Sequence, residues 1–125
     1  MTSATGAWLS AFLFTQAVEV PIYLTALRRA PADVEAPFTG TAALAAAFSA
    51  SLITHPIVWF LIPRIPASSY VEMALRAETF AVVVEGIYLY ALGAMRLRPA
   101  LLTSLIANAI SVSLGLLSRS LFGWP

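Results

Sequence analysis

Four long apolar stretches divide this chain and constrain its fold more than any other feature. They cover residues 7–27, 41–62, 77–95 and 100–117. Each contains about 18–22 residues, and at ~1.5 Å per helical residue each can cross a hydrocarbon core of about 30 Å. We therefore predict an all-α membrane protein, a bundle of four transmembrane helices with these approximate bounds.

The composition agrees with a membrane location. Of the 125 residues, 60% are hydrophobic and 10% are charged, and the mean hydropathy is +0.86. A soluble domain contains about 45–50% apolar and 25% charged residues. The longest linkers, 28–40 and 63–70, are rich in proline and leave no room for a soluble domain. The first stretch carries Glu19 and follows no Lys or Arg, so we interpret it as a retained helix rather than a signal peptide. A single integral membrane domain over residues 1–125 is expected.

Several function classes lack support in the sequence. The chain contains no cysteine, so thiolate metal sites and cysteine-ligated iron–sulfur clusters are excluded. Its net charge of +1 gives no basic patch for nucleic acid. Hydrolase, nucleotide-binding and metalloprotease motifs are absent. The single histidine, His55, is a weak indication of a haem or metal site. We predict that the protein is not an enzyme and holds no metal or cofactor.

The distribution of arginines and tryptophans indicates how the chain is oriented across the membrane. The positive-inside rule places the end of the bundle richer in arginine in the cytoplasm. Four arginines follow the first and third stretches, and three lie on the side shared by the two termini. We therefore predict the cytoplasmic membrane of a bacterium, with both termini outside the cytoplasm. All three tryptophans fall on the side of the membrane that carries the two termini, and tryptophan rings favour the lipid headgroup region. They are Trp8, Trp59 and Trp124.

The segment before the third stretch carries a helix-start signal. Ser69 precedes Glu72 by three residues, the spacing of a capping box. Arg76 follows Glu72 by four residues, which suits an ion pair along a helix. We expect this segment to form the exposed beginning of the third helix.

Two pairs of similar segments predict an internal repeat. They are AVEVPIYLTAL (17–27) with VVEGIYLYAL (83–92), and SLITHPIV (51–58) with SLIANAIS (104–111). Because two crossings return the chain to its starting side, the repeats would be parallel helical hairpins related by a pseudo-twofold axis along the membrane normal. The possible repeats cover residues 7–62 and 77–117.

In each half of the repeat, an acidic residue on the first helix is paired with a nitrogen-containing side chain on the second helix. On this interpretation Glu19 pairs with His55, and Glu85 pairs with Asn108. Ionisable groups inside a membrane cost roughly 2.5–3.5 kcal/mol, so they normally face the bundle interior and have partners. Two further residues, Glu78 and Gln16, extend these pairs into a predicted polar pathway.

Two prolines lie close to these polar residues. Pro21 and Pro56 each remove a backbone hydrogen bond, and we predict helix kinks at both.

Two functions remain open at this point. The polar residues could form a proton or ion path, in a small proton-coupled transporter or an ion-path subunit. They could instead be hydrogen bonds that fix helix packing, each worth ~0.6–2 kcal/mol, in a structural or assembly subunit of a larger membrane complex. The expected partners are the lipid bilayer and either further copies of this chain or larger membrane subunits.

In its size, its four apolar stretches and its Glu19, the chain resembles the small multidrug resistance transporters. The further motifs of that family do not match, and an internal duplication is not part of its pattern. The resemblance implies a proton-coupled role for Glu19 and nothing about the rest of the chain.

Overall fold

The protein is a bundle of four helices in a computed structural model that describes residues 3–29 and 38–124. The helices are α1 (Ala4–Arg28), α2 (Gly40–Phe60), α3 (Tyr70–Ala91) and α4 (Leu97–Phe122), and a 3₁₀ turn, Ile62–Arg64, follows α2. The described ranges contain no strand, which agrees with the all-α prediction.

Each helix packs against two of the other three. Helix α1 contacts α2 and α4, and α3 contacts the same two helices. Within the described ranges, the backbones of α1 and α3 lie diagonally across the bundle and do not approach each other closely, and the same holds for α2 and α4. This is the square arrangement of an up-and-down bundle. Helix α1 begins and α4 ends at one end, called here the terminal end, and the opposite end is called the loop end.

Three of the helices are long and apolar enough to cross a membrane. They are α1, α4 and the segment Gly40–Arg64 that contains α2. Helix α3 is 22 residues long, but it carries four charged residues. These are Glu72, Arg76, Glu78 and Glu85. The membrane-helix prediction is therefore confirmed for three of the four segments by length and composition, and α3 differs because of its charge.

Helix α3 begins earlier than the apolar stretch 77–95 suggests. The Ser69 hydroxyl accepts a hydrogen bond from the Glu72 backbone N–H at 3.2 Å and caps the first turn. Glu72 forms an ion pair with Arg76 on the following turn. The helix ends at Ala91, before Gly93 at φ +69°. The cap and this left-handed glycine therefore set the helix bounds, and the start at Ser69 is the one that the capping signal in the sequence predicts.

Helix α4 is longer than the predicted 100–117 at both ends. It takes in Leu97 at its start and Phe122 at its end, and Gly123 closes it in the left-handed conformation at φ +67°. Helical hydrogen bonding thus continues on both sides of the apolar stretch into more polar residues.

Small residues allow the helices to approach closely. On α2, Ala43, Ala46, Ala47 and Ala50 are all buried. On α3, Gly86 faces α4 so closely that a Cβ there would lie 3.0 Å from the Leu101 Cα. Close backbone approach at small residues is the usual way in which helices associate in lipid.

A cluster of buried apolar residues closes the loop end of the bundle. Its larger members are Tyr23, Leu27, Leu89 and Met95, and alanines from α2 and α4 fill the space between them. Tyr23, Leu27 and Leu89 are fully buried. We call this cluster the loop-end seal.

The fold gives no support to the internal repeat or its pseudo-twofold axis. The two acids that the repeat relates, Glu19 and Glu85, have different sets of hydrogen-bond partners. The structure therefore supports the helices of each hairpin but not an equivalence between the hairpins.

Candidate functional site

Glu85 lies at the centre of the bundle and connects all four helices. Its Oε2 accepts hydrogen bonds from the Tyr23 phenol of α1 and, at 2.8 Å, from the Asn108 Nδ2 of α4. Its Oε1 accepts one from the Thr54 hydroxyl of α2. Glu85 itself belongs to α3 and is 1% exposed. Three donors from three helices therefore converge on one carboxyl group.

Ser104 completes this network and fixes the Asn108 amide. The Asn108 Nδ2 lies 3.0 Å from the Ser104 carbonyl oxygen as well as 2.8 Å from the Glu85 Oε2. Both of these atoms are acceptors, so the nitrogen must face them and the amide oxygen must point elsewhere. The Tyr23 phenol and the Ser104 hydroxyl are 3.5 Å apart.

Glu19 occupies a neighbouring buried position with fewer donors. The Ser51 hydroxyl of α2 donates to its Oε2, and the Ser111 hydroxyl of α4 faces the same carboxyl. One turn earlier on α1, the Gln16 Nε2 donates to the Phe48 carbonyl at 3.2 Å, while the Gln16 Oε1 is buried without a partner. Glu19 is only 2% exposed. Its carboxyl is therefore less fully hydrogen-bonded than that of Glu85.

His55 lies among aromatic rings. Its ring centroid is 5.3 Å from that of Phe12, 6.3 Å from that of Trp8 and 6.2 Å from that of Trp59. Its Nδ1 is buried and has no hydrogen-bond partner. The structure joins Glu85 to Asn108 as the sequence suggests, whereas the hydrogen bond of Glu19 goes to Ser51 rather than to His55.

One cavity of about 230 Å³ connects most of these side chains. On α4 it is lined from Asn108, at the centre, to the exposed Arg119 at the terminal end. Eleven helical residues at ~1.5 Å each make this distance about 16 Å. Pockets for drug-sized ligands occupy about 300–1,000 Å³. The cavity thus suits water or a small ion better than a large organic substrate.

The cavity gathers five of the six predicted pathway residues. They are Glu19, His55, Glu78, Glu85 and Asn108. Gln16 is outside the lining and packs between α1 and α2.

Helices α1 and α2 continue through both predicted kink positions. Pro21 lies within Ala4–Arg28, and Pro56 lies within Gly40–Phe60. The Thr25 hydroxyl donates to the Pro21 carbonyl at 2.7 Å, one turn further along α1.

Sequence reasoning missed the hydroxyl groups of the site. They belong to Tyr23, Ser51, Thr54, Ser104 and Ser111. Helical spacing could have identified some of them, because residues three or four apart share a face. Tyr23 follows Glu19 by four residues, and Ser104 precedes Asn108 by four.

The described residues contain no group of three or more His, Cys, Asp or Glu side chains placed to hold a metal ion. The oxygen atoms around the cavity instead come from carboxyl, hydroxyl and amide groups.

No protein-family model, curated protein or solved structure matches this chain. What the protein does must therefore be inferred from the chemistry of its own site.

Proposed function

We propose that this protein is a small proton-coupled transporter or ion-path subunit of a membrane, in which Glu19 and Glu85 exchange protons with the aqueous phase at the terminal end. The observation that carries this proposal is the single cavity that links both buried carboxyls to that end. A packing role alone would not require an opening to water.

The two ends of the bundle support a path with access from one side at a time. At the terminal end the cavity passes the half-buried Glu78 and reaches the exposed Arg119. At the loop end, Tyr23, Leu27 and Leu89 are fully buried in the seal. Transport would then require a second conformation in which the seal opens and the terminal end closes, as in alternating access.

The exposed surface of α3 supports a fourth membrane crossing despite the charges of this helix. Its outward side chains include Val71, Leu75, Val83 and Ile87, which are 64%, 63%, 43% and 50% exposed. Glu85 points inward and is 1% exposed. An apolar outer face with an acid turned into the bundle is the arrangement expected for a spanning helix that carries an intramembrane charge.

The arginine distribution supports the orientation within this proposal. With four spanning helices, the loop end would face the cytoplasm of a bacterium and the terminal end would face outward. The cavity would then admit protons from the outer side, where respiring bacteria maintain the higher proton concentration.

Proton flux in proteoliposomes tests the proposal. Vesicles that contain the protein and an internal pH-sensitive dye are given a pH step across the membrane. We expect faster acidification than in empty vesicles, and a return to the empty-vesicle rate when Glu19→Gln and Glu85→Gln are combined. Glu72→Gln is the matched control, because Glu72 lies at the solvent-accessible start of α3. Flux that survives the double substitution would overturn the proposal.

A second candidate function, a structural subunit of a larger membrane complex, is favoured by the hydrogen-bonding of Glu85. A carboxyl that takes one donor from each of the three other helices is a strong device for specifying one packing arrangement. Such a network could serve assembly rather than proton exchange.

Native mass spectrometry after gentle extraction from the original membrane separates the two candidates. Larger subunits that remain bound to the protein would favour the structural role. A homo-oligomer or monomer without them would favour the transporter.

A further inference from the structure

The Asn108 amide oxygen is directed into the cavity without a protein partner. Its amide nitrogen is held by the Glu85 Oε2 at 2.8 Å and the Ser104 carbonyl at 3.0 Å, so the oxygen points away from both. No hydrogen bond from the described residues reaches this oxygen. Asn108 is 6% exposed and lines the cavity, so the little surface that it retains faces this internal space.

Two further residues with free acceptor capacity, Glu19 and Ser111, line the same cavity. The Glu19 carboxyl receives the Ser51 hydroxyl on Oε2 and the Ser111 hydroxyl as well, which leaves about two of its roughly four lone-pair positions free to bind a ligand. The Ser111 hydroxyl faces this carboxyl and is 7% exposed. Asn108 and Ser111 are three residues apart and therefore lie on one face of α4. Carboxylate, amide and hydroxyl oxygens thus line the same cavity.

The charge available to a ligand at this point is that of one carboxylate. Glu85 already receives three donors, whereas Glu19 receives the hydroxyls of Ser51 and Ser111. A hydrogen-bonded carboxylate has less capacity left to compensate a cation. The site therefore matches a single positive charge better than a double one.

The other titratable or charged groups that line the cavity or interact with Glu19 do not make the site favourable for an anion. They are Glu85 and Glu78 from α3, His55 from α2, Tyr23 from α1 and Arg119 from α4. Arg119 is the one cation among the cavity-lining residues of the described structure, and it lies about 16 Å along α4 from Asn108. The centre of the cavity is therefore acidic.

We infer that the protein binds one monovalent alkali cation of the Na⁺ type between the Glu19 carboxyl, the Asn108 amide oxygen and the Ser111 hydroxyl, in competition with a proton on Glu19. Hard cations prefer such oxygen ligands, and water within the cavity can complete their coordination. A proton and a cation that exclude each other at one carboxyl provide a simple means of coupled exchange. This inference rests on the proposed function, because it assigns the second ion to the same carboxyl that exchanges the proton.

Equilibrium binding of radioactive Na⁺ to the purified, detergent-solubilised protein tests the site, with N-methylglucamine as the replacement cation. We expect saturable binding of one Na⁺ per chain that weakens as the pH falls. Ser111→Ala should weaken binding about tenfold through the loss of one oxygen ligand, and Glu19→Gln should abolish saturable binding. Ser113→Ala is the matched control, because Ser113 lies two residues away on the exposed face of α4. Thermal unfolding of each variant establishes that it is folded.

Three outcomes would overturn the inference. They are an absence of saturable Na⁺ binding, binding that Ser111→Ala and Glu19→Gln leave unchanged, and displacement of Na⁺ by an equal concentration of Mg²⁺ or Ca²⁺. Proton flux in sodium-free vesicles distinguishes this failure from failure of the proposed function. Flux that requires Glu19 but is indifferent to Na⁺ would retain the proton path and remove the cation site.

Discussion

Tyr23 and Glu85 are 62 positions apart in the sequence, and the Tyr23 phenol donates a hydrogen bond to the Glu85 carboxyl in the middle of the bundle. The ring of the same tyrosine is part of the loop-end seal. Tyr23 therefore lies where the polar cavity ends and the apolar seal begins. A change at this position affects both the Glu85 network and the barrier to water.

Tyr23→Phe should destabilise the protein by about 1–2 kcal/mol. The ring would still fill the seal, but Glu85 would lose one of its three donors while remaining buried. Thermal unfolding in detergent measures the effect. Tyr90→Phe is the control, because Tyr90 is 52% exposed and should tolerate the loss of its hydroxyl. Equal midpoints for the two variants would show that the phenol contributes nothing to the network.

Gly86→Ala and Gly115→Ala should have opposite effects on stability. At position 86 the new Cβ would lie 2.6 Å from the Leu101 Cδ2 and 3.0 Å from its Cα, so α3 and α4 would have to separate, at a cost of about 1–3 kcal/mol. At position 115 the nearest atom, the Phe14 Cε1, is 3.9 Å away. Alanine there should stabilise α4 by roughly 0.5–1 kcal/mol through its higher helix propensity.

The matched pair is compared by thermal unfolding in one detergent. A Gly86→Ala variant as stable as the parent protein would contradict the close contact between α3 and α4, and a destabilised Gly115→Ala variant would contradict the open space at position 115.

His55→Phe and Thr54→Val should separate an aromatic packing position from a hydrogen-bonding one. Phenylalanine should be tolerated because the His55 Nδ1 has no partner and the ring lies among other rings. Valine at position 54 removes a donor to Glu85 and should cost about 1–2 kcal/mol. Unfolding curves of the two variants test the stability order.

Proton flux through the His55→Phe variant is the second readout for this residue. If His55 serves only in packing, the flux should be unchanged. A fall in flux with normal stability would instead place His55 in the proton path.

Gly115→Leu should obstruct the cavity and slow proton access to Glu19 and Glu85. Gly115 lines the cavity between the centre and the terminal end, so a leucine side chain would occupy part of the cavity there. The pH-step assay in vesicles should show at least a tenfold decrease in rate, which corresponds to about 1.4 kcal/mol in the barrier. Ser113→Leu places the same side chain on the exposed face of α4 and should leave the rate unchanged. Similar rates for the two variants would argue that protons do not use this cavity.

The helices could be predicted from the sequence because the hydrophobic stretches leave few alternatives, but hydropathy alone does not give their ends. Helix α3 is the clearest case, since hydropathy suggests a start at residue 77 and the helix begins at Tyr70. Local hydrogen bonds set such ends, and a capping serine or a left-handed glycine outweighs the hydropathy of the flanking residues. The Ser69 signal did indicate this start, and Ser69 caps the helix in the structure.

The inward position of the acids could also be predicted, because a charge inside a membrane is costly unless it faces other polar groups. Their partners could not. Ser51 and His55 lie one turn apart on the same face of α2, so the sequence alone does not decide which of them forms a hydrogen bond with Glu19. The rotation of α2 against α1 decides between them, and it brings Ser51 to Glu19 while His55 packs against Trp8 and Phe12. Such rotations depend on the packing of all four helices together.

The up-and-down arrangement puts the start of α1 and the end of α4 beside the mouth of the cavity. A pH-sensitive fluorescent protein joined after α4 would therefore stand at the entrance and report the arrival of protons there. A dye enclosed in the vesicle would report their delivery to the other compartment. The delay between the two signals would measure how long the ion stays inside the protein.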